Sequence, residues 1–399
     1  MEKKKNNYSL AITGIKDMCT GCGACANICP VNAIDMAYDE EGFYCPVVDV
    51  NLCIGCLKCE RHCHVLSLER KDGSLSFAPY MCWAKDEDLR YKSTSGGVFS
   101  LLADAILVKG GVVFGARYNF EKERLEHNHT DNFDLSEFRK SKYAESTTLN
   151  TFTEVKAFLS SGRYVLYCGT PCQIVGLKTF LTGTNVSKLV LVDFICHGVP
   201  SCKHFFDYIK HLERKFSDKV KSFDFRPKEK MSGWRVANVH INMQKGRVLD
   251  VLHYEDLYAR PFQENLLLRK SCYKCSITQL HEADLTLGDF WGIRRYKPEI
   301  DDDCGISLVV VNSAKGEKAF GAIEESKMES EKLPVSAVTY AYKPREEMRY
   351  DLKKRAVIAE EVKEKEFVKV MIRKYGRDIF CRKVKRNVRR MVKIALRIK

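Results

Sequence analysis

Cys19, Cys22, Cys25 and Cys29 stand in the spacing Cys-x2-Cys-x2-Cys-x3-Cys, with Pro30 directly after, and the pattern returns as Cys53, Cys56, Cys59 and Cys63. Thiolates are soft ligands that favour zinc, copper and iron–sulfur centres. Zinc sites usually come as two pairs of ligands, not as triplets with a fourth Cys three residues on. Repeated once, this spacing is that of two four-iron clusters, in which the fourth Cys of each run ligates the other cluster. One cluster then takes Cys19, Cys22, Cys25 and Cys63, and the other takes Cys53, Cys56, Cys59 and Cys29. A triplet on a tight turn caps three irons, and the fourth iron faces away and needs a thiolate from elsewhere.

The surrounding residues fit that chemistry. Gly21, Gly23 and Gly55 let backbone amides approach cluster sulfides with no Cβ in the way. Ala33, Ile34 and Leu66 supply apolar cover against water. His64 stands where Pro30 stands in the first run, a departure that leaves ligation untouched. Residues 8–70 therefore read as a ferredoxin-type module. Its core is small, and ligation supplies much of its folding free energy.

Eighteen cysteines in 399 residues argue for a reducing, iron-handling compartment rather than an oxidised secreted scaffold. The chain opens on a short basic stretch with no apolar run behind it, so no secretory signal is expected. No run approaches the ~18 apolar residues of a membrane span. The cytoplasm is the expected location. Length and a hydrophobic content of 45% fit two or three folded domains. The net charge of +14 is uneven: residues 363–399 hold 15 Lys or Arg against 3 Asp or Glu, and the rest of the chain is nearly neutral. Basic character thus belongs to the tail.

Further elements must position the chemistry. Residues 74–88 read as a linker. Ser93-Thr94-Ser95-Gly96-Gly97 precedes a helix over 98–108, either as a plain cap or as a helix start whose free amides hold an anion. Residues 112–116, 164–168 and 189–195 read as buried strands, with 120–138 a hairpin or loop. Helices are expected over 152–159, 173–180 and 203–215. This alternation predicts a partly parallel sheet, whose functional crevice lies beyond the carboxyl ends of its strands. Cys172 and Cys196 each follow a strand at that edge. Residues 223–226 and 236–243 alternate as antiparallel strands. Residues 307–311 read as a strand, 316–326 as a helix, and everything from about 346 onward as one basic amphipathic helix. By spacing alone, Cys172, Cys196, Cys272 and Cys275 are either ligands or small core residues. His197 beside Cys196 either caps its loop or donates a proton.

Ser95-Gly96-Gly97, Gly169-Thr170-Pro171-Cys172-Gln173, Phe194 to Ser201 around Cys196-His197-Gly198, and Cys272-x2-Cys275 with Leu287-Gly288-Asp289 resemble the family of coenzyme F-420 hydrogenase and dehydrogenase beta subunits. The likeness runs from about residue 8 to about 340, and a ferredoxin module in front is a frequent fusion there. Plant ferredoxin-dependent reductases of chlorophyll derivatives look related. The resemblance implies a third 4Fe–4S cluster on Cys172, Cys196, Cys272 and Cys275. It also implies FAD held by Ser95, Gly96, Gly97, Lys142, Tyr143, Thr170 and Asp289. The built-in ferredoxin module and the basic tail depart from the hydrogenase members, and both weaken the implication that coenzyme F-420 itself is the acceptor. Bacterial members commonly accompany polysaccharide assembly enzymes.

The expected architecture is an α+β / α/β multidomain chain. A two-cluster ferredoxin domain spans 1–75. The flavin domain follows in an N-terminal part, 76–160, and a C-terminal part with the third Cys cluster, 161–345. A basic helical tail spans 346–399. The expected function is an iron–sulfur flavoprotein oxidoreductase passing electrons from ferredoxin or a partner redox subunit to a small organic acceptor, with His197 donating a proton. The alternative is an electron-transfer subunit whose partner carries the catalysis. The tail is expected to reach an anionic membrane at its inner face or to pack on the body. No specific nucleic-acid partner is predicted, since a basic run alone gives only non-specific affinity.

Overall fold

The computed structural model describes residues 11–67, 78–228, 233–235, 238–277, 282–341 and 350–397. The expected domain boundary near residue 75, the basic start of the chain and Ile398 lie outside the described residues.

The strands are β1 Ile34–Tyr38, β2 Tyr44–Val48, β3 Ala78–Ala84, β4 Val112–Asn119, β5 Arg124–Thr130, β6 Val165–Cys168, β7 Leu189–Phe194, β8 Val220–Phe225, β9 Asn238–Met243, β10 Val248–Leu252, β11 Leu285–Asp289, β12 Ser307–Val311 and β13 Met328–Lys332. β1 and β2 form an antiparallel hairpin, with Ile34 opposite Val48 and Tyr38 opposite Tyr44. Around it, the two cysteine runs fold alike. Gly21 and Gly55 both have φ +69°, in the left-handed region that favours glycine. Gly23 (φ +78°) and Leu57 (φ +57°) occupy equivalent places, each opening a short helix, Ala24–Ile28 or Lys58–Arg61, that carries the third Cys of its run.

Among the described residues, the large sheet has strand order β13-β3-β12-β11-β7-β6-β4-β5. β4, β6, β7 and β11 are parallel neighbours, and the outer pairs are antiparallel. The parallel strands are apolar on both faces, as burial by helices requires: Val112, Val113, Phe114, Val165, Leu166 and Tyr167 are wholly buried. Helix Pro171–Phe180 carries the chain from β6 towards β7. Its start is fixed by a capping box in which Thr170 and Gln173 satisfy each other's backbone. Ser201 caps helix Cys202–Phe216, which packs under the smaller β10-β9-β8 sheet.

Within the expected linker over 74–88, Ala78–Ala84 is β3, a strand inside the sheet between β12 and β13. β13, MESEK, has a single buried residue and four exposed ones. An edge strand this charged shows no apolar run, and the charge keeps the edge from pairing further. The tail is two helices, Leu352–Glu364 and Phe367–Arg397, rather than one. Lys365 is extended (φ −129°, ψ 151°). That break lets Ile358 and then Phe367, Val368, Val370 and Met371 enter the same core as helix Cys202–Phe216.

Candidate metal centres

The first run's loop turns its thiols inward. Gly21 N–H donates to Cys19 Sγ at 3.4 Å, and Ala33 N–H to Cys29 Sγ at 3.2 Å. Cys25 lies within electrostatic reach of Cys22 and Cys63 of its own expected set and of Cys59 of the other. Cys29, Cys53, Cys56 and Cys59 line one cavity together, closed by Pro30, Ala33, Ile34 and Leu57. Burial pushes the Cys22, Cys25, Cys59 and Cys63 thiols up, so bound iron would have to displace their protons. Among the described residues no three His, Cys, Asp or Glu side chains converge on a single-ion site. A four-iron cube holds its thiolates further apart than one ion does. His64 is buried with Nδ1 3.8 Å from Cys22 Sγ and Nε2 3.3 Å from Thr20 Oγ1, and burial pulls it down to about 4. It is a neutral neighbour of the cluster site.

The second set of thiols is assembled by three loops. Cys172 opens helix Pro171–Phe180, with Thr170 Oγ1 3.1 Å from its Sγ. Cys196 follows β7. Cys272 and Cys275 follow a segment zipped to the loop after β7: Pro200 and Leu268 form an antiparallel bridge, and Arg269 N–H donates to Val199 O at 2.9 Å. Gly198 (φ +115°) permits that approach, because a Cβ there would lie 3.3 Å from Cys272 Cβ. Cys172 thus comes within electrostatic reach of Cys196, Cys272 and Cys275, and burial pushes its thiol well up. The four thiols singled out by sequence are gathered in one place.

Two contacts join this place to the N-terminal module. Cys22 lies against helix Pro171–Phe180 at Gly176, where a Cβ would be 2.9 Å from its Sγ. Gly176 is one turn beyond Cys172 on the same helix face. The second contact is Arg269, buried with Glu145 at 2.6 Å. Arg269 donates to Cys19 O at 2.8 Å and to Tyr44 O, and Ser271 Oγ donates to the same Cys19 carbonyl at 3.0 Å. Cys272 N–H in turn donates to Arg269 O. Glu145 accepts from Tyr44 N–H at 3.0 Å. Burial pushes Glu145 up, and the charge of Arg269 opposes that rise. Ser201 to Gly42 O (2.6 Å), Thr148 to Cys22 O (3.1 Å) and Thr179 to His62 O (2.9 Å) complete the seam.

The residues expected to contact FAD fall into three places. Thr170 is beside Cys172. Lys142 is half-buried near Cys168 and Asp224, with Nζ donating to Arg139 O, and desolvation pulls it down to about 8. Tyr143 packs between Phe225 and Phe262, and its hydroxyl meets Arg226 at 3.4 Å. Arg226 pairs with Asp289 at 2.7 Å and lies over Trp291. Ser95 is held by Lys228, which donates to its carbonyl. Burial and the neighbouring Arg90 pull Lys228 down to about 7. Gly96 N–H donates to Ser307 Oγ at 2.9 Å, and Gly97 (φ +89°) opens helix Val98–Leu107. The Gly96 amide, expected to face an anion, is therefore turned onto β12. His197 meets the Phe262 ring edge-on, 5.2 Å between centroids, so Phe262 touches both His197 and Tyr143.

Arg226, Lys228, Arg269, Glu145 and Ser271 were not singled out from sequence. Arg269 had a signal, its place three residues before Cys272. Arg226 had none, since its role rests on an unusual left-handed backbone (φ +57°) that aims it at Asp289.

Residues 162–336 match the family model for the C terminus of the coenzyme F420 hydrogenase/dehydrogenase beta subunit, and residues 18–66 match the 4Fe-4S dicluster domain. Over residues 162–336 the chain is thus similar to that family of beta subunits. The beta-subunit domain thus stands behind a 4Fe-4S dicluster domain, and the chain is an iron–sulfur protein of an oxidoreductase family. It is similar to one of the subunits of the F(420)H(2) dehydrogenase of Methanosarcina mazei, 26% identical over 191 residues that cover 45% of this chain and 53% of the relative. The chain thus spans about half the length of that relative. A solved structure of the F420-reducing [NiFe] hydrogenase complex from Methanosarcina barkeri contains a similar chain, with 18% identity, a TM-score of 0.45, and coverage of 75% of this chain and 92% of that one.

Proposed function

We propose that the chain is an iron–sulfur flavoprotein oxidoreductase that takes single electrons from a ferredoxin or a partner redox subunit and delivers them to a small organic acceptor. In this reading Cys19, Cys22, Cys25 and Cys63 hold one four-iron cluster and Cys53, Cys56, Cys59 and Cys29 a second, while Cys172, Cys196, Cys272 and Cys275 hold a third. The observation that carries it is the seam. Cys22 abuts Gly176 one turn from Cys172, and the Cys19 carbonyl is bound by Arg269 and Ser271 just before Cys272. When bound, the clusters supply one-electron transfer and FAD supplies conversion to electron pairs.

The chain's own residues would do the rest. Arg269 and Ser271 keep the Cys19 loop in register with Cys272. Gly176 admits the close approach of Cys22. Ser95, Gly96, Gly97, Lys142, Tyr143, Thr170 and Asp289 would hold FAD, joined by Arg226 and Lys228. The buried Arg226 and Lys228 and the half-buried Lys142 are cations that suit an anionic group. His197 would pass a proton to the acceptor. Coenzyme F-420 is the acceptor to test first, because the matched family carries its name; a substrate of polysaccharide assembly is the next.

A second reading, an electron-transfer subunit with catalysis on a partner, is favoured by the matched relative being itself one subunit of a dehydrogenase. Anaerobic purification with iron, sulfide and flavin quantitation tests both. We expect about twelve irons and one FAD per chain. About eight irons without flavin would overturn the reading. Reduction of an organic acceptor only after a partner subunit is added would replace it by the second.

A further inference from the structure

Helix Phe367–Arg397 is held to the body by one side. Tyr375 and Ile379 are buried. Further along, Arg382 lies over the Tyr254 ring and Arg386 pairs with the buried Glu255 at 2.7 Å. At 3.6 residues per turn these four positions share one face. Phe380, Val384, Val388 and Met391 recur every three or four residues and form a second stripe. They are 67%, 44%, 47% and 61% exposed. Val384 is about half a turn round from the docked face. The apolar stripe therefore points away from the protein, and packing on the body leaves it uncovered. Lys383 and Lys385 fall on its two flanks.

We infer that this outward stripe is a docking surface for an anionic lipid bilayer, on which the helix lies parallel to the surface. Charge selects the occupant. Residues 380–399 contain nine Lys or Arg and no Asp or Glu. A second copy would bring the same positive charge to the same face, so self-association is opposed. A polyanion such as RNA would use the cations but not an apolar stripe. Apolar residues flanked by cations match the boundary between acyl chains and anionic headgroups. Among the described residues no helix is long and apolar enough to cross a membrane, so the contact is in-plane. The inference does not depend on which cofactors the cysteines hold.

The test uses the full chain and vesicles of zwitterionic phosphatidylcholine with or without anionic phosphatidylglycerol. Co-sedimentation with the anionic vesicles is expected, with little on the neutral ones. Val384→Asn with Val388→Asn, which changes no charge, lowers it at least tenfold while helicity and cluster absorbance are unchanged. Lys383→Gln with Lys385→Gln leaves the stripe intact and lowers it by about fivefold per cation. Absence of pelleting with anionic vesicles overturns the inference. So does equal pelleting of wild type and the Val384/Val388 variant, which marks a purely ionic contact with a polyanion. A dimer in vesicle-free solution that this variant dissociates also overturns it, by showing the stripe covered by a second copy.

Discussion

Arg269 donates to the carbonyl of Cys19 across 2.8 Å, although 250 positions separate them. The guanidinium is buried with Glu145 as its counter-charge, and its own chain continues directly to Cys272. One residue thus fastens the first cysteine of the N-terminal module to the loop bearing the last two thiols of the beta-subunit domain. Truncating it leaves Glu145 buried and unpaired. Arg269→Met is expected to lower unfolding free energy by roughly 3–5 kcal/mol, with Glu145→Gln restoring part of the loss when added. Denaturant titration of the single and double variants checks this. In the single variant Arg269→Met, where Glu145 keeps its charge, removal of a cation near Cys19 also shifts the reduction potential of the N-terminal centre downward, read by redox titration followed by EPR.

Gly176 sets how closely Cys22 approaches helix Pro171–Phe180. Gly176→Ala places a Cβ 2.9 Å from Cys22 Sγ. Overpacking of this kind typically costs about 1–3 kcal/mol. The expected outcome is loss of that stability together with reduced iron retention. Gly321→Ala, on another helix with no atom within 4 Å of the added carbon, serves as the control and leaves iron content unchanged.

Asp193 on β7 is buried, and burial pushes it up to about 7 although Thr286 donates to it at 2.6 Å. Its folded pKa exceeds its unfolded value, so between about pH 4 and 7 the folded state binds the extra proton. Stability from this group is therefore present at low pH and is lost as pH rises through that window. The slope is at most about 1.4 kcal/mol per pH unit. Asp193→Asn keeps an acceptor for Thr286 and removes the slope. Thermal unfolding of both proteins at pH 5 and pH 8 checks it: the variant gains on wild type at pH 8.

The chemistry was legible in sequence where it is local. Two cysteine runs fix a repeated loop, and Gly21 and Gly55 adopt the same left-handed turn. The β–α alternation announced the parallel strands because their apolar runs are continuous. β13 was not legible, being an edge strand with one buried residue. Nor was β3, taken for a linker: only its place between two antiparallel neighbours defines it. The seam was invisible for a related reason. Cys19 with Arg269, Ser95 with Lys228, and Tyr143 with Arg226 are contacts across more than eighty positions, and hydrophobic periodicity carries no record of such pairs. The tail's apolar spacing is visible in sequence, but only the docked positions Tyr375, Ile379, Arg382 and Arg386 reveal that the stripe faces outward.

Arg226 holds Asp289 at 2.7 Å and reaches Tyr143, which makes it the residue on which the flavin reading turns. Arg226→Gln is expected to lower bound FAD severalfold while iron per chain stays the same. Unchanged flavin content would remove Arg226 from that role.

The central claim is that Cys172, Cys196, Cys272 and Cys275 hold a third cluster beside the two of the N-terminal module. Iron per chain, measured anaerobically in wild type and in Cys172→Ala, tests it most directly. The account predicts about twelve irons in wild type and about eight in the variant, with the EPR signals of the N-terminal pair retained. Equal iron content in the two proteins would contradict it.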